Sequence, residues 1–333
     1  MTAPWPRTLD ELAAENCRFD VDRVSGRPDV TEFKRRARWQ QAFWRQSRGI
    51  PLGSHTSGRV PTERPNGSRV ELSHAKRAGC NFLSPAIRAA AEERVARPEP
   101  HQMLDADRLW ADLLSSMPMC FNLFGELHGD PARLDRAVGA LWPDHPGDPT
   151  DIRFEWSPGR RDPLYLGNRS AFDAVVLLAL PDGSRGAIGI ETKYHEDIKP
   201  ESAPTSERFE RYRQVTESSG AFSAEWEGAV VGTDLQQLWL DHLLALSMLQ
   251  HSSGEWSWAR FVVVYPVANP SVRDAVERYE RLLVDSSTFE ARTIEQVLDT
   301  HSVHDTTTED AFRHRYLWKA QFETLQSNGG SPV

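Results

Sequence analysis

Residues 171–194 constrain this chain more than any other stretch. Ala171-Phe172-Asp173-Ala174-Val175-Val176-Leu177-Leu178-Ala179-Leu180 is an almost wholly apolar run with one acid near its start. Pro181-Asp182-Gly183-Ser184 supplies turn chemistry, with a glycine free to take a positive φ and a proline that ends the ladder. Ala187-Ile188-Gly189-Ile190-Glu191-Thr192-Lys193-Tyr194 resumes the apolar run and ends in charge. Two such runs around such a turn predict a β-hairpin. Closing it at 181–184 brings Asp173 to within about one residue of opposite Glu191. Side chains alternate along a strand, so Glu191 and Lys193 share a face. Two carboxylates and an ammonium therefore meet at one end of an apolar hairpin.

Charge in such a place is expensive. An ionised group taken out of water costs several kcal/mol unless it is paired or bound to a metal. Two neighbouring carboxylates repel, and a divalent cation resolves that repulsion; their hard oxygens suit Mg²⁺, which keeps several waters for other partners. The lysine is itself informative, because the chain uses Arg almost throughout and has lysine only at Lys34, Lys76, Lys193, Lys199 and Lys319. A compact point charge beside two acids suits the orientation of water or the neutralisation of a transition state. A cross-strand salt bridge at a sheet end would explain one acid and the lysine. It explains neither the second acid nor the choice of Lys.

Asp173, an intervening hairpin and then Glu191-Thr192-Lys193 resemble the PD-(D/E)XK nuclease superfamily, the restriction-endonuclease-like phosphodiesterases. The wider chain also resembles a bacterial group described as restriction endonucleases. The resemblance implies an α/β fold with a restriction-endonuclease-like core, a central mixed sheet flanked by helices. It implies a DNA endonuclease in restriction or phage defence. Asp173, Glu191 and the Thr192 backbone carbonyl would hold Mg²⁺, with Mn²⁺ able to substitute, and Lys193 would assist phosphodiester hydrolysis. In many members a helix before the first strand donates a further acid, and Glu126 is the residue that matches. Some relatives place a Gln on the large helix after the motif, which here is Gln236 or Gln237; the Tyr that often follows four residues on is absent, since Leu240 and Asp241 stand there. The sequence departs from the motif at Phe172, where the superfamily's name has Pro. A repair or mobile-element nuclease would look the same, and a non-catalytic module that kept the fold and binds DNA or protein is the rival class.

The remaining chain fits one large domain or a domain with an appended module. Of its 333 residues 39% are hydrophobic and 26% charged, a globular balance. No apolar run approaches the ~18 residues of a membrane span, and Met1-Thr2-Ala3-Pro4-Trp5 lacks a signal-peptide pattern. The expectation is a cytoplasmic protein without a membrane partner. Cys17, Cys80 and Cys120 are far apart and form no C-x-x-C, so neither a zinc knuckle nor a disulfide framework follows. No P-loop, no G-x-G-x-x-G after a strand and no G-x-S-x-G is present, which excludes an intrinsic ATP motor, a dinucleotide enzyme and a serine hydrolase.

A net charge of −9 weighs against charge-driven DNA binding, but the charge is unevenly spread. Residues 30–97 carry nine more basic than acidic side chains. Val30–Arg48 predicts a helix that interleaves Arg35, Arg36 and Arg38 with aromatics, either as a DNA contact or as an amphipathic helix packed by Phe33, Trp39, Phe43 and Trp44. Gly49–Arg69 lacks periodicity and predicts a long loop. The expected organisation is a basic N-terminal extension of helix and loop over 1–100, a nuclease domain over 101–326 and a flexible tail over 327–333. Arg153, Arg160, Arg161 and Arg169 lie near the proposed site in sequence and are candidates for phosphate contact. Residues 194–220 predict a polar lid with partial helix. His301 and His304 read as solvated surface, and Glu309–Leu325 as a terminal helix. Double-strand cutting would favour a homodimer or a partner subunit of a defence system.

Overall fold

The computed structural model describes residues 9–17, 28–57 and 60–317. It opens with α1 (Leu9–Ala14), α2 (Pro28–Ser47) and a two-stranded ribbon, β1 (Leu52–Ser57) and β2 (Val60–Val70). Five helices follow: α3 (Leu72–Ala78), α4 (Pro85–Ala96), α5 (Ala106–Ala111), α6 (Ser116–Phe124) and α7 (Pro131–Leu141). A meander of β3 (Asp148–Trp156), β4 (Phe172–Ala179) and β5 (Arg185–Thr192) then leads to α8 (Ser206–Ser219), α9 (Trp226–Val230) and α10 (Gln236–Leu249). The rest is β6 (Trp256–Tyr265), α11 (Pro270–Glu280), β7 (Phe289–Thr293), α12 (Ile294–Leu298) and α13 (Thr306–Tyr316).

The five main strands form one mixed sheet in the order β3-β4-β5-β6-β7. β3, β4 and β5 pair antiparallel, while β5–β6 and β6–β7 pair parallel through helical crossovers. Helices cover both faces. Val176, Ile188, Ile190, Val262 and Val264 point to one apolar cluster, and Val175, Leu177, Ala187, Phe261 and Val263 to the other. That two-sided burial is why β4–β6 read as continuous apolar runs. The predicted hairpin turn is present: Gly183 has φ +84 and donates to the Leu180 carbonyl. Phe172 occupies space that Gly189 leaves open, since a Cβ on Gly189 would lie 2.4 Å from the Phe172 ring. A large residue before Asp173 is thus matched by an absent side chain on the neighbouring strand.

Two expectations need correction. Gly49–Arg69 is not a loop but the β1–β2 ribbon, paired from Leu52↔Val70 to Ser57↔Val60. Its backbone is secured from outside the segment, by Arg45 of α2 donating to the Gly67 and Ile50 carbonyls, so local periodicity could not disclose it. His304 is not surface: its side chain is 0% exposed, enclosed beside Phe312. His301 is exposed and pairs with Glu309. The terminal helix is described only to Tyr316, and the proposed tail lies outside the described residues.

The segment from α2 to α4 shares the main core. Ala37, Trp44, Val70, Phe82 and Ile87 belong to the same cluster as Phe121, Val176, Val262 and Tyr316. The junction is polar and exact in its pairing. Arg315, fully buried, donates to the Asn81 carbonyl at 2.6 Å and to Gln41 Oε1 at 3.1 Å, and its guanidinium lies 4.2 Å from the Trp44 ring centre. Gln41 in turn donates to the Tyr194 hydroxyl, one residue beyond Lys193. Among the described residues no helix is long and apolar enough to cross a membrane.

Candidate active site

The antiparallel register Ala174↔Ile190, continued by one residue, sets Asp173 level with Glu191. Asp173 Oδ2 accepts from the Thr192 amide at 2.9 Å and the Thr192 hydroxyl at 2.7 Å. This fixes one carboxylate oxygen and the Thr192 peptide together. The Lys193 amide donates to the Val264 carbonyl at 2.8 Å, so β6 holds the end of β5. The Lys193 ammonium lies 2.7 Å from Glu191 Oε1. From the opposite side α10 brings Gln237, whose amide nitrogen stands 3.5 Å from the same oxygen, at the limit of a hydrogen bond. One turn further along α10, Asp241 is buried, and its Oδ2 has no hydrogen-bond partner.

The surroundings perturb every one of these groups. Burial, partly offset by the Thr192 hydrogen bonds and Lys193, raises the Asp173 pKa. Burial and then Asp173 push Glu191 well above the usual carboxylate range, against the pull of Lys193. Burial also raises Asp241, to about 7, with Lys193 opposing and Asp173 adding to the shift. Burial alone would strip the Lys193 proton, but Glu191 and Asp241 outweigh it and keep the ammonium charged. Three carboxylates thus surround one cation, and each raises the cost of ionising the next. Perturbation of this kind, with specific partners, marks functional sites.

The donor set fits a hard divalent cation: Asp173 and Glu191 carboxylates beside a rigid peptide, with an orphaned Asp241 oxygen nearby. Among the described residues no three His, Cys, Asp or Glu side chains converge as a ready-made cage. A Mg²⁺ site of two carboxylates leaves the remaining positions to carbonyl, water and substrate.

Glu126 does not join this group. Its carboxylate accepts from Arg133 at 2.6 Å, the Thr308 hydroxyl at 2.8 Å and the Asp305 amide at 3.2 Å, with His304 at 3.6 Å. It ties the start of α13, at Asp305 and Thr308, to Arg133 of α7. Gln236 is also taken, accepting from the Gly232 amide and donating to the Ser202 carbonyl. Of the arginines, Arg38 is buried on α2, Arg35 is half-buried, and Arg36 pairs with Glu32 one turn back. Lys34 on the same helix pairs with Asp197 at 3.1 Å. Arg153 pairs with Asp151, and Arg160 is sequestered by Glu99 and the Glu155 carbonyl. Arg161 and Arg169 are exposed on the β3–β4 connection.

The sheet order, the opposed acids and the lysine two residues on are together the arrangement that the hairpin anticipated. A family model described as the PD-(D/E)XK nuclease superfamily matches residues 28–318, most of the chain. The chain belongs to the PD-(D/E)XK nuclease superfamily. Its mixed five-stranded sheet flanked by helices is the restriction-endonuclease-like fold of that superfamily. No curated protein and no solved structure matches it. The match begins with α2, so the basic helix lies inside the region matched to the superfamily.

Three acids near the superfamily motif escaped the sequence reading. Asp241 follows Gln237 by four residues on an otherwise apolar helix, and that spacing was the available signal. Glu155 is next to Asp173 across β3–β4, with φ +47; burial and then Asp173 raise its pKa. Glu196 accepts from the Tyr194 and Ser116 amides, a role set by a strand end and a helix start far apart in sequence.

Proposed function

We propose that this chain is a divalent-cation-dependent DNA endonuclease acting through Asp173, Glu191 and Lys193. The observation that carries the proposal is the opposition of Asp173 and Glu191 across β4–β5, with a buried, charged Lys193 beside them. Asp173, Glu191 and the Thr192 carbonyl would hold Mg²⁺ or Mn²⁺. When bound, the cation supplies Lewis-acid stabilisation of the phosphodiester and makes water a stronger nucleophile. The protein's own part is placement. Asp173 holds the Thr192 peptide rigid through two hydrogen bonds. Lys193 supplies a positive charge beside the scissile phosphate and a donor that orients water. Gln237 lies against Glu191 and restrains its rotamer.

Arg161 and Arg169, exposed on the β3–β4 connection that leads into the Asp173 strand, would contribute phosphate contacts. Restriction or phage defence in the cytoplasm is the setting that the superfamily suggests, with a second copy or a partner subunit where both strands are cut. Cleavage of supercoiled and linear DNA with Mg²⁺ or Mn²⁺ tests the reading. Asp173→Ala and Lys193→Ala should each lower the rate by about 10³-fold, while folded Glu126→Gln should cut at close to the wild-type rate. A wild type that neither cuts DNA nor binds either cation would make the chain a binding module instead.

A further inference from the structure

Lys193 and a divalent cation compete for one carboxylate. The Lys193 ammonium lies 2.7 Å from Glu191 Oε1, and the Gln237 amide approaches that same oxygen at 3.5 Å. Two positive charges on one carboxylate repel. For Glu191 to face a metal, the ammonium needs a second anion within reach of its flexible stem. Asp173 is committed elsewhere: its Oδ2 is held by the Thr192 amide and hydroxyl, and its carboxylate is the other ligand of the proposed cation. Glu196 is engaged as well, each of its oxygens accepting one backbone amide, from Tyr194 and from Ser116.

Asp241 is available. It sits one turn beyond Gln237 on the same face of α10. It is 9% exposed, and no hydrogen bond reaches its buried Oδ2. A buried carboxylate oxygen without a donor is costly and calls for an explanation. The charge of Lys193 acts on it directly.

We propose that Asp241 is the second seat of Lys193: it receives the ammonium when Glu191 turns to the cation, and so keeps Lys193 aimed at the site. Asp241 is thus a positioning residue, and the proposal rests on the cation-dependent nuclease reading above. It explains why α10 carries an acid among apolar side chains, directly behind the residue that touches Glu191.

Calorimetric titration of the full chain with Mn²⁺ tests it as a double-mutant cycle. Asp241→Asn should weaken Mn²⁺ binding about tenfold when Lys193 is present, and less than about threefold in a Lys193→Met background. Equal losses in both backgrounds overturn the proposal, because Asp241 would then act on the cation without the lysine. No loss in either background overturns it too. A wild type that does not bind Mn²⁺ overturns the cation reading itself and this proposal with it, which separates the two failures.

A second measurement does not depend on the folding of Lys193→Met. With five lysines in the chain, ε-carbon-labelled lysine gives few NMR signals, and a Lys193→Arg sample identifies the one from Lys193. That signal should shift on adding Mg²⁺ in the wild type and stay in place in Asp241→Asn. A Lys193 signal indifferent to Mg²⁺ in a wild type that binds the cation overturns the proposal.

Discussion

Glu126 and Glu191 are buried to nearly the same degree, 6% and 8% exposed, yet they have opposite fates. Glu126 is surrounded by donors, Arg133, the Thr308 hydroxyl and the Asp305 amide, with His304 at 3.6 Å. Burial alone would raise its pKa, but the polar groups around it hold it at about 2. Glu191 has one ammonium and a distant amide, and faces two further acids. Burial and Asp173 drive its pKa the other way. The lesson is that a buried acid alone does not mark a site. A satisfied acid is architecture, and an acid crowded by other acids is a demand for a cation.

Unfolding in urea, without added metal, should break the comparison most visibly if it is wrong. Glu126→Ala should lose about 3 kcal/mol, because it strips a partner from Arg133 and leaves buried donors unpaired. Glu191→Gln should cost no more than about 1 kcal/mol, since the loss of its ion pair with Lys193 is offset by removing one of three crowded carboxylates. Equal losses would erase the distinction drawn here.

Cation binding sharpens the same contrast by a slightly smaller amount. Mn²⁺ at about 100 times its dissociation constant should stabilise the wild type and Glu126→Gln by about 2.7 kcal/mol each. Asp173→Ala should gain nothing. The check is the midpoint of thermal unfolding with and without Mn²⁺, and a response kept in Asp173→Ala but lost in Glu126→Gln would place the cation elsewhere.

The smallest effect is in the pH dependence, where the two acids have opposite signs. Glu126 has a folded-state pKa of about 2, below the unfolded value of ~4.3. Its stabilisation is therefore complete above that unfolded value and is lost as pH falls toward 2. Asp241 titrates at about 7 in the fold, above an unfolded value of ~3.9. Its contribution favours the fold at low pH and is lost as pH rises toward 7. Between about pH 7.5 and 5.5 the metal-free wild type should gain stability relative to Asp241→Asn, as measured by urea midpoints. A parallel response of the two proteins would contradict the raised Asp241 pKa.

What was legible in the sequence was what lies close together in it. The hairpin could be read because its two apolar runs, its turn and its closing glycine all fall within residues 171–193. Gln237 was within reach as one of two candidates, for helical spacing alone cannot say which of two consecutive residues faces the sheet. Glu126 was misjudged for the opposite reason. An acid in an apolar stretch before the sheet has the profile of a ligand, but its partners Asp305 and Thr308 are 179 and 182 residues away. The β1–β2 ribbon and the burial of His304 were hidden in the same manner, by contacts from elsewhere in the chain. Polar segments read as loops until a buried arginine such as Arg45 supplies donors to their carbonyls.

By itself, then, the sequence determined the hairpin, the opposition of Asp173 to Glu191, the lysine beside them and the mixed α/β class. Turn chemistry and the period of two are sufficient for these, because the turn at 181–184 sets the hairpin register and the register decides which residue opposes Asp173. The tertiary structure alone decided which buried charges are satisfied. It gave Glu126 to α13, surrounded Glu191 with acids, and brought Asp241 of α10 among the charges of Glu191 and Lys193. Whether a buried carboxylate is paired depends on every element packed against it, and that packing is a property of the fold.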